Sequence, residues 1–121
     1  MEVAELIQKV HTYLPQVDAE IIRQAYEFAA QAHNGQKRAS GEPYVQHPLA
    51  AALILAGMGL DLAAIIAALL HDVPEDTARP LEEIRKDFGE DVARLVDGVT
   101  KLSRISWGTL EEEQAENLRK M

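Results

Sequence analysis

The feature that most constrains this chain is a run of nine apolar residues, Leu62 to Leu70, that ends directly on His71 and Asp72. A helix with no polar face has to sit in the middle of a bundle, with neighbours on every side. The chain must therefore carry an imidazole and a carboxylate to the edge of its own core. Val73-Pro74-Glu75-Asp76-Thr77 follows at once and adds two more carboxylates. Charged groups are expensive to bring to the end of a buried helix unless something compensates them. Two readings fit: a capped helix end followed by a solvated acidic turn, or a divalent cation with His71 and Asp72 as ligands and Glu75 and Asp76 facing a bound water. The acidic pair directly after His-Asp favours the cation.

The rest of the chain fits a helical class. At 121 residues it is expected to form one domain, and with 47% apolar but only 5% aromatic residues its core is Leu, Ile, Val and Ala. Apolar residues rarely alternate with polar ones, so the expectation is an all-α bundle. With no cysteine, disulfides and thiolate metal sites are excluded, which fits a reducing, cytoplasmic setting. No charged n-region and apolar h-region open the chain, so a secretory signal is not expected. Pro48 to Leu70 is long and apolar enough to raise a membrane span, but Gly57-Met58-Gly59 breaks it and Asp61 is a natural helix N-cap inside it. Two core helices joined by a tight turn fit better, in a soluble chain. The net charge of −8 argues against nonspecific binding to nucleic acid or an anionic membrane. A phosphate-ester substrate would then need a metal ion or a local basic cluster.

Taken in order, Glu2 to Leu14 carries a buried stripe of Val3, Leu6, Ile7 and Val10, and Pro15 ends it. Asp18 caps a second helix whose inward face is Ile22, Ala25, Tyr26, Phe28, Ala29 and Ala32, with Gly35 as its stop. His11 reads as a surface or packing histidine. His33, at the end of the second helix, either meets the last carbonyls or has a metal role. Between Gly35 and Gln46 the periodicity disappears. This loop is either a solvated connection or one in which Lys37 and Arg38 receive a phosphate or stack on a base, while Ser40 hydrogen-bonds to it.

His47-Pro48 opens the third helix. The helix dipole there disfavours a protonated imidazole, so a neutral, ligating His47 is the natural state. Antiparallel neighbours joined by a short turn bring the start of one helix beside the end of the next, so His47 and His71 can meet at one end of the bundle. The fourth helix is expected over Asp61 to about Asp72, with Pro74 ending regular structure and freeing Glu75 and Asp76 to turn toward the ion. Pro80 to Phe88 and Asp91 to Thr100 read as further helices, the latter burying Val92, Leu95, Val96 and Val99. Lys101 to Gly108 is a loop in which Trp107 stands alone in a polar stretch. Thr109 and Glu112 form a capping box for a helix that runs to Met121 without a stop signal, as though the chain were cut.

Four motifs, in order and spacing, resemble the hydrolase domain of the RelA/SpoT family. They are Gly35 to Tyr44 followed by His47-Pro48, His71 to Thr77, Asp97 to Leu102, and Ala115 to Met121. The resemblance implies a helical HD-superfamily phosphohydrolase that removes the 3′-pyrophosphate from (p)ppGpp in stringent-response control, with Mn²⁺ as the usual ion. By that resemblance His47, His71 and Asp72 bind the metal. Glu75 and Asp76 position and activate the water or assist the departing group, and Arg38 and Ser40 contact the guanine nucleotide. Such a ligand set of nitrogen and oxygen suits Mn, Fe or Zn.

Two departures stand out. Ala39 replaces a lysine common in the family, and the family's fourth metal ligand, an aspartate, falls after the last residue. The expectation is a domain lacking its C-terminal helices, with weak metal binding, slow hydrolysis and apolar surface that could drive dimerisation. Synthetase and regulatory domains would follow in a longer parent. The alternatives are an HD phosphohydrolase for another nucleotide and a non-catalytic nucleotide-binding or regulatory helical module.

Overall fold

The computed structural model describes residues 2–36, 41 and 44–99, all of whose regular structure is helical. Six helices have defined bounds: α1 Val3–His11, α2 Ala19–Ala32, α3 Gln46–Gly57, α4 Leu62–Leu70, α5 Val73–Asp76 and α6 Leu81–Phe88. Residues 90–99 are helical again. Lys37, Arg38, Ala39, Ser40, Trp107 and the helix expected from Thr109 lie outside the described residues.

α4 is the centre of the bundle. Ile65 to Leu70 are all buried, and the helix packs against α3 on one side and α2 on the other, with α1 closing over α3 and α2. Burying each leucine or isoleucine side chain contributes roughly 1.5–3 kcal/mol, so Leu6, Ile22, Leu49, Ile65, Leu69 and Leu70, all fully buried, carry most of the core. The N-cap of α2 is Asp18, whose Oδ1 accepts from Glu20 N at 2.9 Å, and that of α4 is Asp61, whose Oδ1 accepts from Ala64 N at 3.0 Å. The turn between α3 and α4 uses Gly59 at φ +75, and Tyr13 donates its hydroxyl to the Leu60 carbonyl at 2.7 Å, tying α1 to that turn. α6 is held to α2 by the edge-on pair Phe28–Phe88, with the Arg79 guanidinium over the Phe28 ring.

Some boundaries differ from the sequence expectation. α1 ends at His11, and Tyr13 and Leu14 continue only as a turn onto the Val10 carbonyl before Pro15. α4 stops at Leu70, leaving His71 and Asp72 in a turn. Pro74 does not end regular structure. It sits in the first turn of α5, where its missing N–H is harmless, so Glu75 and Asp76 are helical residues. Leu95 and Val99, expected in a buried stripe, are more than 40% exposed, as are Ile54 and Met58. Among the described residues no helix is long and apolar enough to cross a membrane.

Candidate metal centre

The two helices that dominate the core also set the site. α3 begins, and α4 ends, at the same end of the bundle. His47 lies in the first turn of α3 and His71 caps α4, and their rings stand 6.0 Å apart, centroid to centroid. Asp72 lies between them. Its Oδ1 is 3.1 Å from His71 Nε2 and its Oδ2 is 3.9 Å from His47 Nε2. One donor atom from each of His47, His71 and Asp72 lies within 4.8 Å of the others, a spacing at which the three could hold one cation.

The donor chemistry fits an ion as well as the spacing does. His71 Nδ1 is 2.6 Å from the Ala68 carbonyl, which can only accept, so Nδ1 carries a proton. This leaves Nε2 as the ligating atom, its tautomer fixed by the helix behind it. Without an ion, Nε2 can bond to the Asp72 carboxylate only by holding a second proton. That hydrogen bond is the main reason the His71 pKa is raised, against the opposing effect of burial. For Asp72 the largest single influence is burial, which pushes its pKa up. The His71 hydrogen bond and charge, with Tyr44 and His47, outweigh it and hold the carboxyl below its ordinary value. The position between His71 and Asp72 is one that either a proton or a cation can take.

Glu75 and Asp76 are exposed on α5, directly beyond the His-Asp pair. The Asp76 carboxylate accepts from the Tyr44 hydroxyl at 2.8 Å, and the same hydroxyl lies 3.2 Å from Asp72 Oδ2. Burial first, then these carboxylates, raise the Tyr44 pKa strongly, so the phenol stays protonated, with its one proton shared between Asp76 at the shorter distance and Asp72 at the longer. Sequence reasoning gave Tyr44 no role of its own. A tyrosine in a loop without periodicity carries no signal beyond its place in the Gly-Glu-Pro-Tyr motif.

The other two histidines are elsewhere. His11 Nε2 bonds the Val17 carbonyl at 2.9 Å, a packing role. The His33 side chain meets neither helix carbonyls nor the His47–His71 pair. It is buried against Tyr44, with Nδ1 3.0 Å from Gln36 Oε1. An apolar groove of about 280 Å³, lined by α3, α4, Leu95 and Val99, opens beside His71.

A helical bundle with histidines and a His-Asp pair at one end has the form of an HD domain, and the HD domain family model matches residues 25–121; the chain belongs to that family. Its relatives are long proteins. The chain is 51% identical over 116 residues to the bifunctional (p)ppGpp synthase/hydrolase SpoT of Escherichia coli K12, covering 96% of this chain and 16% of that protein. It is 53% identical over 117 residues to a guanosine-3′,5′-bis(diphosphate) 3′-pyrophosphohydrolase of Aquifex aeolicus, again spanning 16% of the relative. Among solved structures it is similar to a metazoan ortholog of SpoT described as hydrolysing ppGpp. There the TM-score is 0.58 at 38% identity, over 62% of this chain and 44% of that one.

Proposed function

We propose that this chain forms a metal-dependent hydrolase site that removes the 3′-pyrophosphate of (p)ppGpp, giving GDP or GTP and pyrophosphate. We further propose that it serves as the hydrolase part of a stringent-response enzyme that also carries synthetase activity. The observation that carries the reading is the gathering of His47, His71 and Asp72 donor atoms within 4.8 Å of one another at the bundle's end. The names of the relatives supply the substrate class.

In this reading His47 and His71 through Nε2, and Asp72 through its carboxylate, hold a divalent ion; the donor set suits Mn, Fe or Zn, and Mn²⁺ is the ion the RelA/SpoT resemblance implies. When bound, such an ion lowers the pKa of water and offsets phosphate charge. Glu75 and Asp76 take the proton of the attacking water as its oxygen joins the phosphorus carried on O3′. The bond from phosphorus to O3′ breaks, and a carboxyl returns a proton to the departing 3′-oxygen. Tyr44 keeps Asp76 and Asp72 in register by placing its hydroxyl between them. Lys37, Arg38 and Ser40 receive the nucleotide, offsetting the acidic charge locally.

The test is hydrolysis of ppGpp by this chain with excess Mn²⁺, products separated by anion exchange. GDP and pyrophosphate in equal amounts are expected, with no turnover in EDTA and a roughly 10²–10⁴-fold loss in Glu75→Gln and Asp76→Asn. Release of inorganic phosphate, or equal rates on dGTP and cyclic dinucleotides, would overturn the assignment.

A further inference from the structure

We propose that His33 is a positioning residue for this site, one that holds Tyr44 against the Asp72 and Asp76 carboxylates and ties Gln36 to Tyr44. His33 caps the C-terminal end of α2, only 3% exposed, and is the one buried polar residue among the described residues. Its ring stacks on Tyr44 at 4.4 Å with an angle of 28° between the planes. A second path runs through Gln36. The Gln36 side-chain Nε2 donates to the Asp76 carbonyl at 2.9 Å, which turns Oε1 toward His33, so His33 Nδ1, 3.0 Å away, is the donor. The backbone closes the same unit. Gln36 N donates to the His33 carbonyl at 2.9 Å and Tyr44 N donates to the Gln36 carbonyl at 3.2 Å.

His33 therefore reaches Asp76 by two routes, through the phenol to its carboxylate beside Asp72 and through Gln36 to its backbone carbonyl. With the proton on Nδ1, the buried Nε2, which has no partner, carries a lone pair and not a stranded N–H. Packing alone would be served by Phe or Leu, with no unpaired atom to bury. What the imidazole adds is a flat face for Tyr44 together with a donor aimed at Gln36.

The proposal rests on the cation reading above only where cation affinity is the readout. The experiment measures Mn²⁺ affinity in the wild type, His33→Ala, Tyr44→Phe and the double variant, together with side-chain NMR of His33 and Tyr44. Each single change is expected to weaken Mn²⁺ binding about tenfold, in the range for residues that orient ligands. The double variant should lose less than the product of the two single losses, because His33 acts in part through the Tyr44 phenol. Losses that multiply, or a His33→Ala protein that is less stable yet binds Mn²⁺ as the wild type does, would overturn the proposal.

Should the wild type take up no Mn²⁺, the cation reading fails and the spectra decide on His33 alone. Two results support it: the Nδ1–H tautomer in the wild type, and a ring-current shift of the Tyr44 protons that is lost in His33→Ala and kept in His33→Phe. Tyr44 signals unchanged in His33→Ala overturn it. If His33→Ala does not fold, His33→Phe replaces it in the cycle, with weaker Mn²⁺ binding expected from loss of the Nδ1 donor and unchanged binding counting against the proposal.

Discussion

His71 and Asp72 are neighbours in the chain, yet His71 Nε2 and Asp72 Oδ1 meet at 3.1 Å. Within a regular helix successive side chains diverge by roughly 100°. These two converge because α4 ends at Leu70 and the next two residues form a turn before α5. Where the apolar run stops therefore decides whether the pair can share a proton or an ion.

That pair makes the metal-free protein pH-sensitive in two directions. The raised pKa of His71 means that its contribution is fully present below about 6.5, its ordinary value, and is lost as pH rises through the folded value. The lowered pKa of Asp72 means that its contribution is present above about 3.8 and is lost as pH falls through the folded value. Urea unfolding of the metal-free chain should show the pair's contribution greatest between these limits, about pH 4 to 6.5. In Asp72→Asn that window should flatten, and the His71 titration followed by NMR should move down.

An ion competes with the same proton. Uptake of Mn²⁺ should strengthen as pH rises through the His71 titration and should release a proton, measurable as a buffer-dependent heat in calorimetry. Affinity that does not vary with pH across that range would place the ion elsewhere.

Capping in this fold is directly testable. Asp61→Ala removes the acceptor for Ala64 N and should cost about 1 kcal/mol, read by urea unfolding. The spacing of His47 and His71 should survive, since the α3–α4 packing that sets it is untouched.

Gly89 stands at φ +100 and ψ 167, between α6 and the helical residues 90–99. A methyl group there would meet nothing within 4 Å, so the penalty is backbone strain alone. Gly89→Ala should destabilise by about 1–3 kcal/mol in the same assay.

Much of this was legible in the sequence because it rests on burial. The apolar run Leu62–Leu70, the Asp18 and Asp61 caps and the break at Gly57-Met58-Gly59 define the bundle, and antiparallel packing of α3 on α4 then brings His47 toward His71. What escaped was set by tertiary contacts with no periodic signature. Pro74 has the same local signal whether it closes one helix or opens the next. His33 at a helix end gives no hint that Tyr44 and Gln36 fold back over it. Leu95 and Val99 fit a buried stripe by spacing, and only the three-dimensional arrangement leaves them at the rim of the groove beside His71.

The central claim is tested most directly by following the four imidazoles in ¹⁵N NMR while Zn²⁺, a diamagnetic substitute, is added to the chain. The Nε2 signals of His47 and His71 should shift together toward one endpoint, while His11 and His33 keep their positions, and Asp72→Asn should weaken the response sharply. Shifts confined to His11 or His33, or a titration that leaves His47 and His71 unmoved, would contradict a shared cation site.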